Sequence, residues 1–169
     1  MSKVVLGMAM SLDGFVQDKN GSVGKLYPDL GALDNTDMLQ ESIRETGAVV
    51  MGRRAYDMAN GDFTGYEYQV PIFVVTHHPP EQVAKGENGA FKFNFVTDGV
   101  ERAVAQAKAA AGERDVTIIG GADIAQQVIR AGLADELDMG IAPILFGEGL
   151  RFFEHLKAEQ IELETLKVT

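Results

Sequence analysis

Residues 116–127 constrain the fold more than any other part of this chain. Val116-Thr117-Ile118-Ile119, rich in β-branched side chains, runs straight into Gly120-Gly121, and an amphipathic pattern follows at once through Ala122, Asp123 and Ile124. This spacing predicts a buried strand that turns sharply into a helix. Glycine at 120 and 121 permits positive φ and lets a ligand approach the backbone with no Cβ in the way. The helix start then presents unpaired N–H groups and the positive end of its dipole, a natural seat for phosphate. Two readings stand at this point: a nucleotide-binding turn, or a tight strand-to-helix connection.

The same alternation recurs along the chain. Residues 3–10 form an apolar run of strand length, and Ser11-Leu12-Asp13-Gly14 closes it with an Asp-Gly turn. Residues 18–35 read as a long loop. A helix is expected from residues 34–37 to Thr46, with Asp37 as its cap, Leu39 and Ile43 on one face and Gly47 ending it. A short buried strand, 48–51, then opens through Gly52-Arg53-Arg54 into another helix, and 60–69 is a polar loop. Residues 71–76 are a third buried strand, stopped by His77-His78-Pro79-Pro80, and 91–97 alternate as a half-buried strand does. Asp98-Gly99-Val100-Glu101 reads as a capping box before a helix with Val100, Val104, Ala107 and Ala111 on its apolar face, closed by Gly112. After the helix that begins near Ala122, strand patterns follow one another at 136–142, 143–146 and 161–168. Strand–helix alternation with a β-rich tail predicts one α/β domain over residues 1–169. Its central sheet is expected to be mixed and mainly parallel, with an antiparallel C-terminal end and helices on both faces.

Charge and composition exclude several functions. Fifteen basic against 25 acidic residues give a net charge of −10, and nucleic-acid binding needs clustered Lys and Arg to neutralise phosphates. Here the basic residues are scattered apart from Arg53-Arg54, so no nucleic-acid partner is expected. The chain has no cysteine, which removes disulfides, thiolate metal sites and a cysteine nucleophile. His77, His78 and His155 lack metal-ligand spacing, so no metal is expected. No run reaches the roughly 18 apolar residues of a membrane span. The N-terminus enters a strand directly with no cleavage site, so a cytoplasmic protein without signal peptide or membrane association is expected.

Three strand ends carry the chemistry. In open α/β sheets ligands lie beyond the carboxyl ends of the strands, where this sequence sets Gly52-Arg53-Arg54, Thr76-His77-His78 and Gly120-Gly121. Two are glycine-opened helix starts, one adds two guanidinium groups able to bind phosphate bidentately, and one adds a hydroxyl and imidazoles. Together they point to a dinucleotide site, although the G-x-G-x-x-G spacing of the ordinary dinucleotide fold is absent.

Residues 51–56, 71–76, 118–122 and 133–149, with Ser11-Leu12-Asp13-Gly14, resemble the dihydrofolate reductase-like superfamily. The closer resemblance is to the branch of the riboflavin-biosynthesis reductase C-terminal domain and its stand-alone relatives. It covers nearly the whole chain, in order, and implies an NADPH-dependent oxidoreductase. On that resemblance Gly52, Arg53 and Arg54 would hold the cofactor's phosphates, with Thr76 and His77 near the adenosine 2′-phosphate. Gly120, Gly121, Ala122, Asp123 and Ile124 would wrap the pyrophosphate and the nicotinamide end. Folate enzymes commonly carry an arginine where this chain has His77-His78, which moves 2′-phosphate recognition toward Arg53 and Arg54. For catalysis the resemblance offers Asp37 in the first helix, where folate reductases bind the pteridine, and also a helix cap. It offers Asp13 at a strand end, also an Asp-Gly turn, and Glu148 between two glycines. The reaction it names is reduction of the ribosyl group of an aminouracil phosphoribosyl compound. The alternatives are dihydrofolate or pteridine reduction, and a nucleotide-binding module without turnover. No deaminase motif, H-x-E or P-C-x-x-C, accompanies the reductase pattern, and the branch implies a small-molecule substrate and a homodimer.

Overall fold

A computed structural model describes residues 2–27, 36–157 and 160–169. Among the described residues eight strands and four helices succeed one another as β1 (Val4–Ser11), β2 (Phe15–Gln17), α1 (Asp37–Glu45), β3 (Thr46–Gly52), α2 (Arg53–Asp57), β4 (Ile72–Val75), β5 (Phe93–Val96), α3 (Val100–Ala111), β6 (Asp115–Ile118), α4 (Ala122–Arg130), β7 (Glu136–Ala142) and β8 (Leu150–Arg151). A 3₁₀ turn at Gly24–Leu26 precedes Tyr27. Six strands form one sheet in the order β5-β4-β3-β6-β1-β7, every neighbouring pair parallel, and β2 and β8 form a separate antiparallel pair.

Strand register sorts the core onto the two faces of the sheet, because successive side chains point to opposite sides. Val4 lies beside Val116, and Val116 beside Ala48, so these share a face with Leu6, Val50 and Ile118. α3 and α4 cover that face with Val104, Ala107, Ala125 and Val128. Val49, Met51, Ile72 and Val74 point the other way, under Tyr56, Phe63, Tyr68, Phe91 and Phe93. Each such side chain withdrawn from water contributes about 1.5–3 kcal/mol. β3 is buried along its whole length, as the central strand of a two-sided layer must be. Its one polar side chain, Thr46, is satisfied: its hydroxyl donates to the Ser42 carbonyl at 2.7 Å and lies 2.7 Å from the Thr117 hydroxyl.

The sheet departs from the expected mixed one at its C-terminal end. β7 pairs parallel with β1 over seven residues, because α4 carries the chain back across the face before β7 begins. The antiparallel element exists but stands apart, as β2–β8. Residues 143–146 form no strand: Pro143 brings no N–H to a ladder, and the Ile144 carbonyl accepts instead from Leu12 N–H at 2.9 Å. Residues 161–168 form none either, and Leu163, Leu166 and Val168 stand exposed. The expected caps also move. Thr36, not Asp37, caps α1 by accepting from Leu39 N–H at 3.3 Å. Gly99 caps α3 at φ 105° without a side-chain hydrogen bond. Gly47 lies inside β3, where a Cβ would strike the Ala111 backbone at 2.8 Å. The expected loop at 18–35 and the start of its following helix fall partly on residues 28–35, outside the described residues.

Candidate active site

The carboxyl ends of β3, β4 and β6 open into one cavity of about 1130 Å³, which continues onto the sheet face carrying Gly7, Ala9 and Met51. All ten residues expected to touch a cofactor line it: Gly52, Arg53, Arg54, Thr76, His77, Gly120, Gly121, Ala122, Asp123 and Ile124. Topology explains the convergence. β4, β3 and β6 are three consecutive strands of a parallel sheet, so their ends share one edge.

At its centre two strand ends are pressed together. Gly52 N–H donates to the Gly120 carbonyl at 2.9 Å, and a Cβ on Gly52 would lie 2.7 Å from Ile124 Cγ1. Gly120 adopts φ 42°, and the Gly120–Gly121 peptide bond is cis. Gly121 caps α4 with no side-chain hydrogen bond, and a Cβ there would meet no atom within 4 Å. The start of α4 therefore lines the cavity, and no side chain among the described residues fills the space beside Gly121. This bare, amide-lined cradle suits a phosphate, and a diphosphate-bearing dinucleotide fits the residues present.

The two arginines have different work. Arg53 is committed inside the protein: Nε donates to Asp57 at 2.9 Å, and Nη1 donates to the Thr76 hydroxyl at 3.2 Å and to the His78 carbonyl. It fastens the end of β4 to α2. Arg54 is exposed and makes no hydrogen bond or ion pair among the described residues, so its guanidinium is free for a phosphate. His77 and His78 are exposed on the same wall, with Thr97 and Gly99 beyond β5.

The three expected catalytic acids do not line this cavity. Asp13 instead joins two loops. Its carboxylate accepts from the Ser11 hydroxyl at 2.6 Å, from Gly147 N–H at 2.8 Å and from Phe146 N–H at 3.1 Å. The Ser11 hydrogen bond first, with those two backbone amides, lowers its pKa from 3.8 to about 2. The carboxylate therefore holds no proton to give at neutral pH. Asp37 is exposed in the first turn of α1, where a negative charge suits the helix dipole. Glu148 borders a shallow surface depression with Lys19 and Leu150. A depressed folded-state pKa stabilises above the unfolded value and ceases to do so as the pH falls through the folded one. Asp13→Asn should therefore melt below the parent at pH 7. The gap should close between pH 3.8 and about 2, as calorimetry across that range would show.

Sequence reasoning missed the cavity's other wall. Tyr27, Met58, Asp62, Tyr66 and Glu67 line it, and most fall in the stretch read as an undifferentiated polar loop. The aromatic spacing of Phe63, Tyr66 and Tyr68 was the available signal. Tyr66 stands edge-on to Phe63 at 5.3 Å and tilted to Phe91 at 5.9 Å. Its N–H donates to the Phe63 carbonyl at 3.0 Å. Burial pushes the Tyr27 and Tyr66 phenols up, so both carry their protons at neutral pH. Among the described residues no group of His, Cys, Asp and Glu could hold a metal ion, and no helix is long and apolar enough to cross a membrane.

Residues 2–169 match the family described as the RibD C-terminal domain. The uncharacterized protein YyaP of Bacillus subtilis strain 168 is 25% identical over 162 residues, covering 92% of this chain and 82% of its own. A candidate riboflavin biosynthesis protein of Shewanella sp. PV-4 superposes with a TM-score of 0.78 at 24% identity, over 98% of this chain and 90% of that one. A Thermotoga maritima protein named diaminohydroxyphosphoribosylaminopyrimidine deaminase/5-amino-6-(5-phosphoribosylamino)uracil reductase superposes at 0.65 and 16% identity, over 90% of this chain and 48% of that one. The structural likenesses, below 25% identity, carry the fold; the full-length sequence match carries the family. With its parallel sheet and its glycine turn at the cavity, this chain belongs to the RibD C-terminal domain family, a dihydrofolate reductase-like reductase fold.

Proposed function

We propose that this chain is an NADPH-dependent reductase of a small heterocyclic compound or its sugar adduct. One observation carries the reading: a single cavity joins a phosphate-suited edge to an aromatic recess on the sheet face. The α4 amides behind Gly121 and the free guanidinium of Arg54 would hold the diphosphate and the 2′-phosphate. Thr76, His77 and Thr97 would border the adenosine. Bound there, the reduced nicotinamide supplies a hydride. The protein's own part is to seat the acceptor against that end, exclude water with Met51, Met58 and Ile119, and keep hydrogen-bond donors on the Tyr27 and Tyr66 phenols. Reduction of the ribosyl group of 5-amino-6-(5-phosphoribosylamino)uracil is the reaction that the name of the Thermotoga relative supplies, and it heads the substrates to be assayed.

NADPH at 100 times its Kd should stabilise the protein by about 2.7 kcal/mol. If neither NADPH nor NADH moves the melting temperature, the reductase reading fails. Arg54→Ala should weaken NADPH about tenfold through loss of one charge-assisted contact, weaken NADH less, and leave the unliganded melting temperature unchanged. Equal losses for both dinucleotides would put Arg54 on the shared diphosphate rather than on the 2′-phosphate.

A further inference from the structure

We infer that Gln126 is the side chain that reads the primary amide of the nicotinamide and sets this chain against dinucleotides lacking that amide's N–H; the inference rests on the reductase reading of the same cavity. Gln126 lies in α4, about 6 Å along the helix axis from Ala122, and is buried at 5% exposure. Its amide orientation is forced. Nε2 donates to the Phe152 carbonyl at 3.0 Å and to the Arg151 carbonyl at 3.3 Å. Carbonyls only accept, so the nitrogen must face them and the oxygen must point elsewhere. Oε1 receives no hydrogen bond from the described residues. No buried side-chain nitrogen or oxygen among those residues lacks a partner, so Oε1 is not sealed off, and Gln126 lines the cavity. An acceptor is thus held in place from the β8 end of the chain and left open to the ligand.

The neighbouring side chains select the group this oxygen can take. Val16 comes from β2 and Leu150 from β8, the pair to which Gln126 is tied, and both line the cavity together with Met8. Met8 stands against the glycine turn, its Cε 3.3 Å from where a Cβ on Gly120 would lie. An aliphatic slot beside one acceptor suits a flat aromatic ring that carries an N–H. A diphosphate ester offers only acceptor oxygens and would leave Oε1 without a donor. A ribose brings several hydroxyls, and each one withdrawn from water needs a partner that Met8, Val16 and Leu150 do not supply. The nicotinamide carboxamide meets both conditions: its amino group would donate to Oε1 while the ring rests on the apolar side chains. The features also follow one another as a dinucleotide requires, with the phosphate-suited helix start at Gly121 and the amide acceptor one turn further on.

The test compares three dinucleotides by calorimetric titration: NADP⁺, its thionicotinamide analogue, which keeps the amino group, and its acetylpyridine analogue, which keeps a carbonyl but carries methyl in place of the amino group. The thionicotinamide analogue should bind like NADP⁺, and the acetylpyridine analogue about tenfold more weakly. Gln126→Met removes Oε1 at similar volume. It also removes both bonds to the Arg151 and Phe152 carbonyls, so every dinucleotide should weaken, but the gap between NADP⁺ and the acetylpyridine analogue should close. A merely structural role would weaken both and leave the gap. An acetylpyridine analogue that binds the parent as tightly as NADP⁺ overturns the inference, and so does a gap that survives Gln126→Met. Should the variant not fold, the parent decides by NMR of its NADP⁺ complex. The carboxamide protons should then show nuclear Overhauser contacts to the Gln126 methylene protons, and contacts to other side chains alone overturn the inference. If neither NADP⁺ nor NADPH binds, the reductase reading fails and takes this inference with it; tight binding without the gap removes the inference alone.

Discussion

Phe152→Ala is expected to cost about 3–5 kcal/mol, the range for removing a fully buried phenylalanine. For a chain of this size that lowers the melting temperature by about 6–20 °C. Phe152 is wholly buried in the core under α3 and α4. Its backbone is also used: N–H donates to the Gly14 carbonyl at 2.9 Å, and its carbonyl accepts from Gln126 Nε2 at 3.0 Å. The ring therefore holds the β2–β8 pair onto the sheet, and that pair brings Val16, Gln17 and Leu150 to the cavity wall. The neighbouring ring of Phe153 stacks edge-on at 4.5 Å but is 41% exposed. Phe153→Ala should stay near ±0.5 kcal/mol, as exposed positions do. Thermal unfolding of the two variants separates anchoring from mere hydrophobicity; equal losses would refute the assignment of Phe152 as the anchor.

That pair of adjacent phenylalanines shows where sequence legibility ends. Local pattern finds the strands and glycine turns, because β-branched runs and positive-φ glycines act within a few residues. With the family resemblance it singled out ten residues that all line one cavity, a convergence that follows from parallel strands ending on one edge. It could not give the direction of β7, which depends on where α4 returns the chain, nor the work of Asp13, whose amide partners lie 133 and 134 residues away. An Asp-Gly pair looks the same whether its carboxylate faces a substrate or two distant N–H groups. Tyr66 was hidden for the opposite reason. Loop 60–69 has no period, and only the aromatic cluster beneath it, with Phe63, Phe91 and Phe93, turns one loop phenol into a fixed wall. The unpartnered face was thus the less legible half of the site.

Gly52→Ala should damage the cofactor edge more than any equally small change elsewhere. The backbone accepts alanine, with φ −81° and ψ 167°, so the cost comes from contact alone. The new Cβ would lie 2.7 Å from Ile124 Cγ1, 3.6 Å from Gly121 N and 3.7 Å from the Gly120 carbonyl oxygen. Ile124 is buried and β-branched, so it cannot swing aside, and the first turn of α4 must move away from β3. Overpacking of this kind costs about 1–3 kcal/mol, and it displaces the amides that would receive the diphosphate. NADPH affinity should fall by about tenfold or more, since contacts of this type need their full geometry. Ile124→Ala removes the opposing atom at its own cost of about 2–5 kcal/mol. In that background Gly52→Ala should add almost nothing, leaving a coupling of about 1–3 kcal/mol between the sites. Cofactor affinity should follow the same cycle, dropping in Gly52→Ala and recovering in the double variant relative to the sum of the single losses. Strict additivity in both melting temperature and NADPH titration would mean that glycine at 52 serves something other than the close approach of β3 to α4.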